Sequence, residues 1–133
     1  MDETTIFITE KDYARIRNAM SLVKSNDYEN LELELERAKI ISDDEVPPNL
    51  VTMNSRVKFF IVQENKEMIV TVVYPDDANT DEGRVSILDP LGSALIGLLE
   101  KHEINWMFPD GKTKTLRILK VLYQPEANQD WHL

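Results

Sequence analysis

A chain of 133 residues, 42% of them hydrophobic, suffices for one domain or for a small domain with an appendage. The absence of cysteine excludes disulfides, thiolate metal sites and a cysteine nucleophile. A net charge of −9 argues against a nucleic-acid-backbone binder, which needs basic surface to displace counterions, so direct DNA binding is not expected. Residues 1–50 hold 12 acids and 6 bases, against 12 and 9 in the remainder. Solubility accounts for this excess, and so does an acidic arm drawn to a basic patch on a partner. No apolar run approaches the length of a membrane span, and Asp2 and Glu3 stand where a signal peptide would be basic. The expectation is a soluble cytoplasmic protein that does not engage the membrane.

In chain order, Thr4–Ile8 is β-branched and apolar and reads as a strand or an extended lead-in. Thr9-Glu10-Lys11-Asp12 fits a capping box with Asp in place of Glu. It opens a helix to about Val23, on which Tyr13, Ile16, Met20 and Val23 form a heptad-like stripe. After a break at Lys24–Asp27, in which Asn26 can cap, a second helix carries Tyr28, Leu31, Leu35 and Ala38 at the same period. Two such stripes joined by a short turn predict an antiparallel helical hairpin, a short coiled coil reaching about 20 Å. Ser42–Pro48 cannot continue a helix and marks a boundary near residue 45. Residues 1–45 are thus one unit and 46–133 another.

The second unit reads as strands. Asn54–Gln63 alternates, with Val57, Phe59 and Ile61 on one face, and Glu64-Asn65-Lys66 turns it back. Glu67–Tyr74 is apolar on both faces. An acidic loop, Pro75–Glu82, leads to a short strand at Arg84–Ile87. Asp89-Pro90 then starts a short helix with Pro at its first position, and the Asp89 carboxylate is placed to cap it. Glu103–Met107, an Asp110-Gly111 turn and Lys114–Tyr123 form a last hairpin, and residues after Pro125 read as a frayed tail. Four or five antiparallel strands around one short helix make a curved half-barrel, so the fold class is α+β.

Asp89-Pro90-Leu91-Gly92-Ser93-Ala94-Leu95-Ile96-Gly97 resembles a signature in the C-terminal domain of the bacterial transcript elongation factors GreA and GreB. Val46–Val57, Val73-Tyr74-Pro75 and Val121–Glu126 bring the chain closer still to the short Rnk branch of that family (regulator of nucleoside diphosphate kinase). The resemblance spans about the last two-thirds of the chain. It implies an FKBP-like C-terminal domain and, as partner, bacterial RNA polymerase, approached at the rim of its secondary channel. On that resemblance Asp89, Pro90, Leu91 and Ser93 are the partner-binding residues. The same turn read without the resemblance merely starts a helix, and both readings stand.

Family members with a long hairpin carry an adjacent Asp-Glu pair at its tip that helps hold a catalytic magnesium. Here the tip residues are Asn26, Asp27 and Glu29, the acids are not adjacent, and the arm is too short to reach an active centre from the rim. Asp27 and Glu29 equally serve the positive end of the second helix. The expectation is a monomeric transcription factor that competes with Gre factors, is not an enzyme, and needs no cofactor, metal or catalytic residue. The alternatives are a transcript-cleavage or elongation factor and an FKBP-like peptide-binding module.

Other clusters carry less. The acids of Asp76–Glu82 miss the calcium-loop spacing at Gly83 and Leu88. His102 and His132 have no triad partners nearby in sequence. Lys112, Lys114, Arg117 and Lys120 are a basic cluster that strict strand alternation would not point one way. They suit a solvated face, or contact with an acidic partner or RNA.

Overall fold

The computed structural model describes residues 5–22, 29–108, 110–131 and 133. Strand β1 (Phe7–Thr9) runs directly into helix α1 (Glu10–Ser21), and helix α2 (Glu29–Arg37) runs directly into strand β2 (Lys39–Ile41). Thr9 is the N-cap of α1, its hydroxyl accepting from the Asp12 N–H at 3.0 Å. Strands β1 and β2 pair in parallel, Phe7 with Lys39 through Thr9 with Ile41. Strand β2 was not anticipated, because two β-branched residues after a helix give too short a signal. Its pairing clasps the outer ends of the two helices together. The predicted stripe holds where it is described: Ile16, Met20, Leu31 and Leu35 are buried, Tyr13 and Ala38 pack beside them, and Leu33 is exposed.

The remaining strands are β3 (Arg56–Ile61), β4 (Lys66–Val73), β5 (Arg84–Ser86), β6 (Glu103–Met107) and β7 (Thr113–Tyr123), with the short helix α3 (Pro90–Leu95) after β5. They form one curled sheet of order β5-β4-β3-β7-β6. Asn65, at φ 49°, makes the β3–β4 turn, as anticipated. One expectation fails: β5 pairs with β4 in parallel, not antiparallel. A parallel return needs a connection longer than a hairpin turn. Here the acidic loop supplies it with two 3-10 turns, Pro75–Asp77 and Thr80–Glu82, before Gly83 turns the chain at φ +72°.

The segment after Pro125 is not frayed. Asp130 N–H donates to Pro125 O at 2.9 Å and Asn128 N–H to Gln124 O at 3.2 Å. The Gln124 side chain, 2% exposed, donates to Pro47 O and Leu50 O at 2.7 and 2.8 Å. The Lys11 ammonium donates to Trp131 O at 2.6 Å. Backbone groups that water could have satisfied are satisfied by the turn itself.

Buried side chains from the hairpin (Ile16, Met20, Leu31, Leu35) and from the sheet (Val57, Phe59, Val72, Leu116, Ile118) belong to one hydrophobic cluster. Strand β1 is wedged against the end of α3: Phe7 N–H donates to Gly97 O at 3.1 Å, and a Cβ at Gly97 would lie 2.8 Å from Ile6 Cβ. Because the core is shared, Leu35→Ala is expected to cost about 2–5 kcal/mol and to shift one cooperative transition. Helical circular dichroism and fluorescence of the buried Trp106 should move together in denaturant; helix loss that left the Trp106 signal unchanged would contradict a shared core.

Candidate functional site

The turn between β5 and α3 is built from backbone contacts. Asp89 N–H donates to Ser86 O at 3.0 Å, and Ser93 N–H donates to Asp89 O at 2.9 Å. Leu88 N–H donates to the Ser86 hydroxyl at 3.1 Å. Pro90 occupies the first helical turn, with no N–H to lose. Asp89 is the N-cap by backbone, but its carboxylate caps nothing: α3 is held by packing, and the exposed side chain faces solvent. That corrects the capping role expected of it. A Cβ on Gly92 would stand 2.2 Å from Ser86 O, so only glycine lets the helix lie this close to the strand end.

The structure separates the four expected contact residues. Asp89 is exposed, and Pro90 and Leu91 are partly exposed. Ser93 is 5% exposed and its hydroxyl donates to Ile87 O at 2.8 Å, so it braces the turn from beneath. Of the expected hairpin tip, Asn26 and Asp27 lie outside the described residues, and Glu29 is the first residue of α2.

A second polar constellation joins the hairpin to the sheet domain. Asp12, 1% exposed, does not complete its capping box. Its Oδ2 instead accepts from Met53 N–H at 3.0 Å, and its Oδ1 accepts from the Arg15 guanidinium at 2.8 Å. Arg15 lies over the Tyr74 ring, 4.8 Å from its centroid. Burial, and then the charge of Asp12, push the Tyr74 hydroxyl far above the ordinary tyrosine range. Thr52 bridges to Glu126 at 2.8 Å and to the Ser55 hydroxyl at 2.8 Å. Burial pushes the Glu126 carboxyl up, against the bond from Thr52 that lowers it. Residues from all three blocks that carry the resemblance beside the signature, namely Thr52 and Met53, Tyr74, and Glu126, therefore meet in one seam beside α1. The capping pattern Thr9-x-x-Asp12 was the sequence signal for Asp12. Arg15 over Tyr74 and Glu126 beside Thr52 gave none, because those partners are 59 and more residues away along the chain. A hollow of about 400 Å³ opens at the edge of the seam, lined by Arg15, Tyr74, Leu22 and Asp76 among others, and the seam offers no nucleophile–base pair.

The model of the family "Transcription elongation factor, GreA/GreB, C-term" matches residues 46–123. The regulator of nucleoside diphosphate kinase of Escherichia coli K12 is 36% identical over 139 aligned residues, covering all of both chains. The transcription elongation factor GreA of Helicobacter hepaticus is 29% identical over 113 residues, 85% of this chain and 68% of that one. Among solved structures, a GreA/GreB elongation factor from Nitrosomonas europaea superposes with a TM-score of 0.72 at 38% identity, over 91% of this chain and all of the other.

The raised Glu126 pKa carries a sign. The unfolded chain ionises near the ordinary carboxylate value of 4.5, whereas the folded chain resists ionisation until higher pH. Stability is therefore lost as pH rises through that window and stays lost above it. Glu126→Gln is expected to raise the unfolding midpoint at pH 7 and to leave it nearly unchanged at pH 4. Thermal melts at the two values check this.

Proposed function

This chain belongs to the GreA/GreB transcription elongation factor family, and on that premise we propose that it binds bacterial RNA polymerase at the rim of the secondary channel and competes there with Gre factors. Residues 46–133 do the docking, and the hairpin of residues 1–45 occupies the channel mouth without adding transcript cleavage. The observation that supports this reading is the Asp89-Pro90-Leu91 turn. It presents an exposed acid beside partly exposed apolar atoms on a frame that Ser93 and Gly92 hold rigid. An apolar anchor with a polar edge is good contact chemistry, and a preformed turn loses little entropy on docking.

Helix α1 has 12 residues and spans roughly 18 Å, which argues for occlusion over delivery of acids to the active centre. The protein so placed acts in the cytoplasm, as a monomer, without a cofactor. No helix among the described residues is long and apolar enough to cross a membrane.

Pull-down with core RNA polymerase tests the reading. Wild type is expected to bind at micromolar concentration and to be displaced by a Gre factor, and the double variant Asp89→Ala/Pro90→Ala is expected to lose at least tenfold in affinity. No binding, or binding indifferent to the turn, overturns it. Cleavage of the transcript in backtracked complexes decides the second reading: stimulation by this protein, lost on Asp27→Ala, would make it a cleavage factor.

A further inference from the structure

The outer face of the curled sheet gathers Arg56, Lys58, Arg84, Arg117 and Lys120, although the chain as a whole carries −9. Strict alternation along β7 would send Arg117 and Lys120 to opposite sides. The β3–β7 ladder prevents that by slipping register twice, between Arg56 and Val57 and between Lys58 and Phe59. Each slip absorbs one extra residue of β7, Leu122 and Leu119, as a β-bulge does. Arg117 consequently stands opposite Phe60, Lys120 opposite Lys58, and Tyr123 opposite Arg56. Directly opposed residues share a face. Val57, Phe59 and Ile61 fill the inner face, so this set is the outer one.

The neighbouring ladder extends the set. Thr71 of β4 lies opposite Arg56 and, on its other side, opposite Arg84 of β5, while Ile69 lies opposite Lys58. One row across the sheet thus reads Arg84, Thr71, Arg56, Tyr123, and the next reads Ile69, Lys58, Lys120. Two hollows flank Arg56, Thr71 and Arg84: about 380 Å³ on the Ile69 side, and about 530 Å³ on the Tyr123 side, where Asp77 also lines the wall. Glu82, Glu67 and Glu103 pair with Arg84, Lys58 and Arg117. Among the described residues Arg56 and Lys120, at the centre, have no ion pair.

We propose that this outer sheet face, centred on Arg56, Lys58, Arg84 and Lys120, binds single-stranded RNA. Guanidinium forks on either side of the Thr71 hydroxyl suit a phosphate, since Arg56 and Arg84 stand two strand spacings apart, about 10 Å, within reach of one group between them. Tyr123 closes the first row, Phe60 lies in a third row opposite Arg117 with its ring centroid 5.8 Å from that guanidinium, both are partly exposed, and Ile69 lies exposed beside Lys58. Cations that track a backbone between flat apolar contacts are what a sequence-tolerant single-strand binder needs. An acidic peptide would use the cations and leave the rings idle.

Fluorescence anisotropy of a labelled oligouridine of about 12 nucleotides, titrated with the full chain, tests this. Four phosphate contacts give a log–log salt slope near −3, a loss of roughly 50-fold between 50 and 200 mM salt. Arg56→Glu is expected to weaken binding at least tenfold, whereas Lys39→Glu, the same charge change outside the face, is expected to change it less than twofold. Both sites are exposed, and circular dichroism confirms that each variant is folded. No anisotropy change at roughly 100 μM protein in 50 mM salt overturns the proposal. Equal loss in the two variants, or a Glu-rich peptide that binds more tightly than the RNA, overturns it as well.

Discussion

A single buried carboxylate sets how the two halves of this molecule meet. Asp12 sits in the first turn of α1 and accepts from the backbone N–H of Met53, 41 residues further along, while Arg15 neutralises its other oxygen. A charge this deeply buried is tolerable only with such partners, and losing either partner would leave an uncompensated ion. The requirement fixes the rotation of α1, which aims Ile16 and Met20 at the sheet. It also holds Arg15 over Tyr74, at the start of the acidic loop. The parallel pairing of β1 with β2 then carries α2 into place, with Arg17 of α1 3.9 Å from Glu32 of α2. Glu126, bonded through Thr52 on the far side of the seam, draws the C-terminal turn into the same assembly.

The Asp89 turn and the outer face of the sheet follow from that frame by different routes. The turn is displayed because α3 packs against β5 so closely that a Cβ at Gly92 would overlap the strand. Its exposed edge is thereby left to Asp89, Pro90 and Leu91. The sheet face gains Lys120 because a register slip at Leu119 of β7 turns that residue outward. One surface is set by a missing side chain and the other by extra backbone. Neither depends on the length of the hairpin. A family member with a short arm can therefore keep both surfaces while the reach of its helices changes.

The elements with a strong period were legible in the residues alone. The two helical stripes, the inward face of β3, the turns at Asn65 and Gly111 and the Pro90 helix start all depend on interactions within a few residues, which composition and spacing record directly. The Asp89 turn was legible for the same reason, since its signature is contiguous from Asp89 to Gly97. The role of Ser93 as a brace was not, because its acceptor is chosen by the packing of α3 on the strand end.

What the sequence by itself determined, then, is an α+β chain with a short helical hairpin, a curled sheet and one exposed Asp-Pro turn. Only the tertiary structure decided the parallel pairing of β5 with β4, the ordering of the C-terminal turn, the seam around Asp12 and the shared face of Arg117 and Lys120. Each of these rests on a contact between residues remote in sequence or on a register slip. Local propensity carries no record of which distant N–H a carboxylate meets, nor of where a ladder admits an extra residue, because those are settled by the balance of burial and hydrogen bonding over the whole fold.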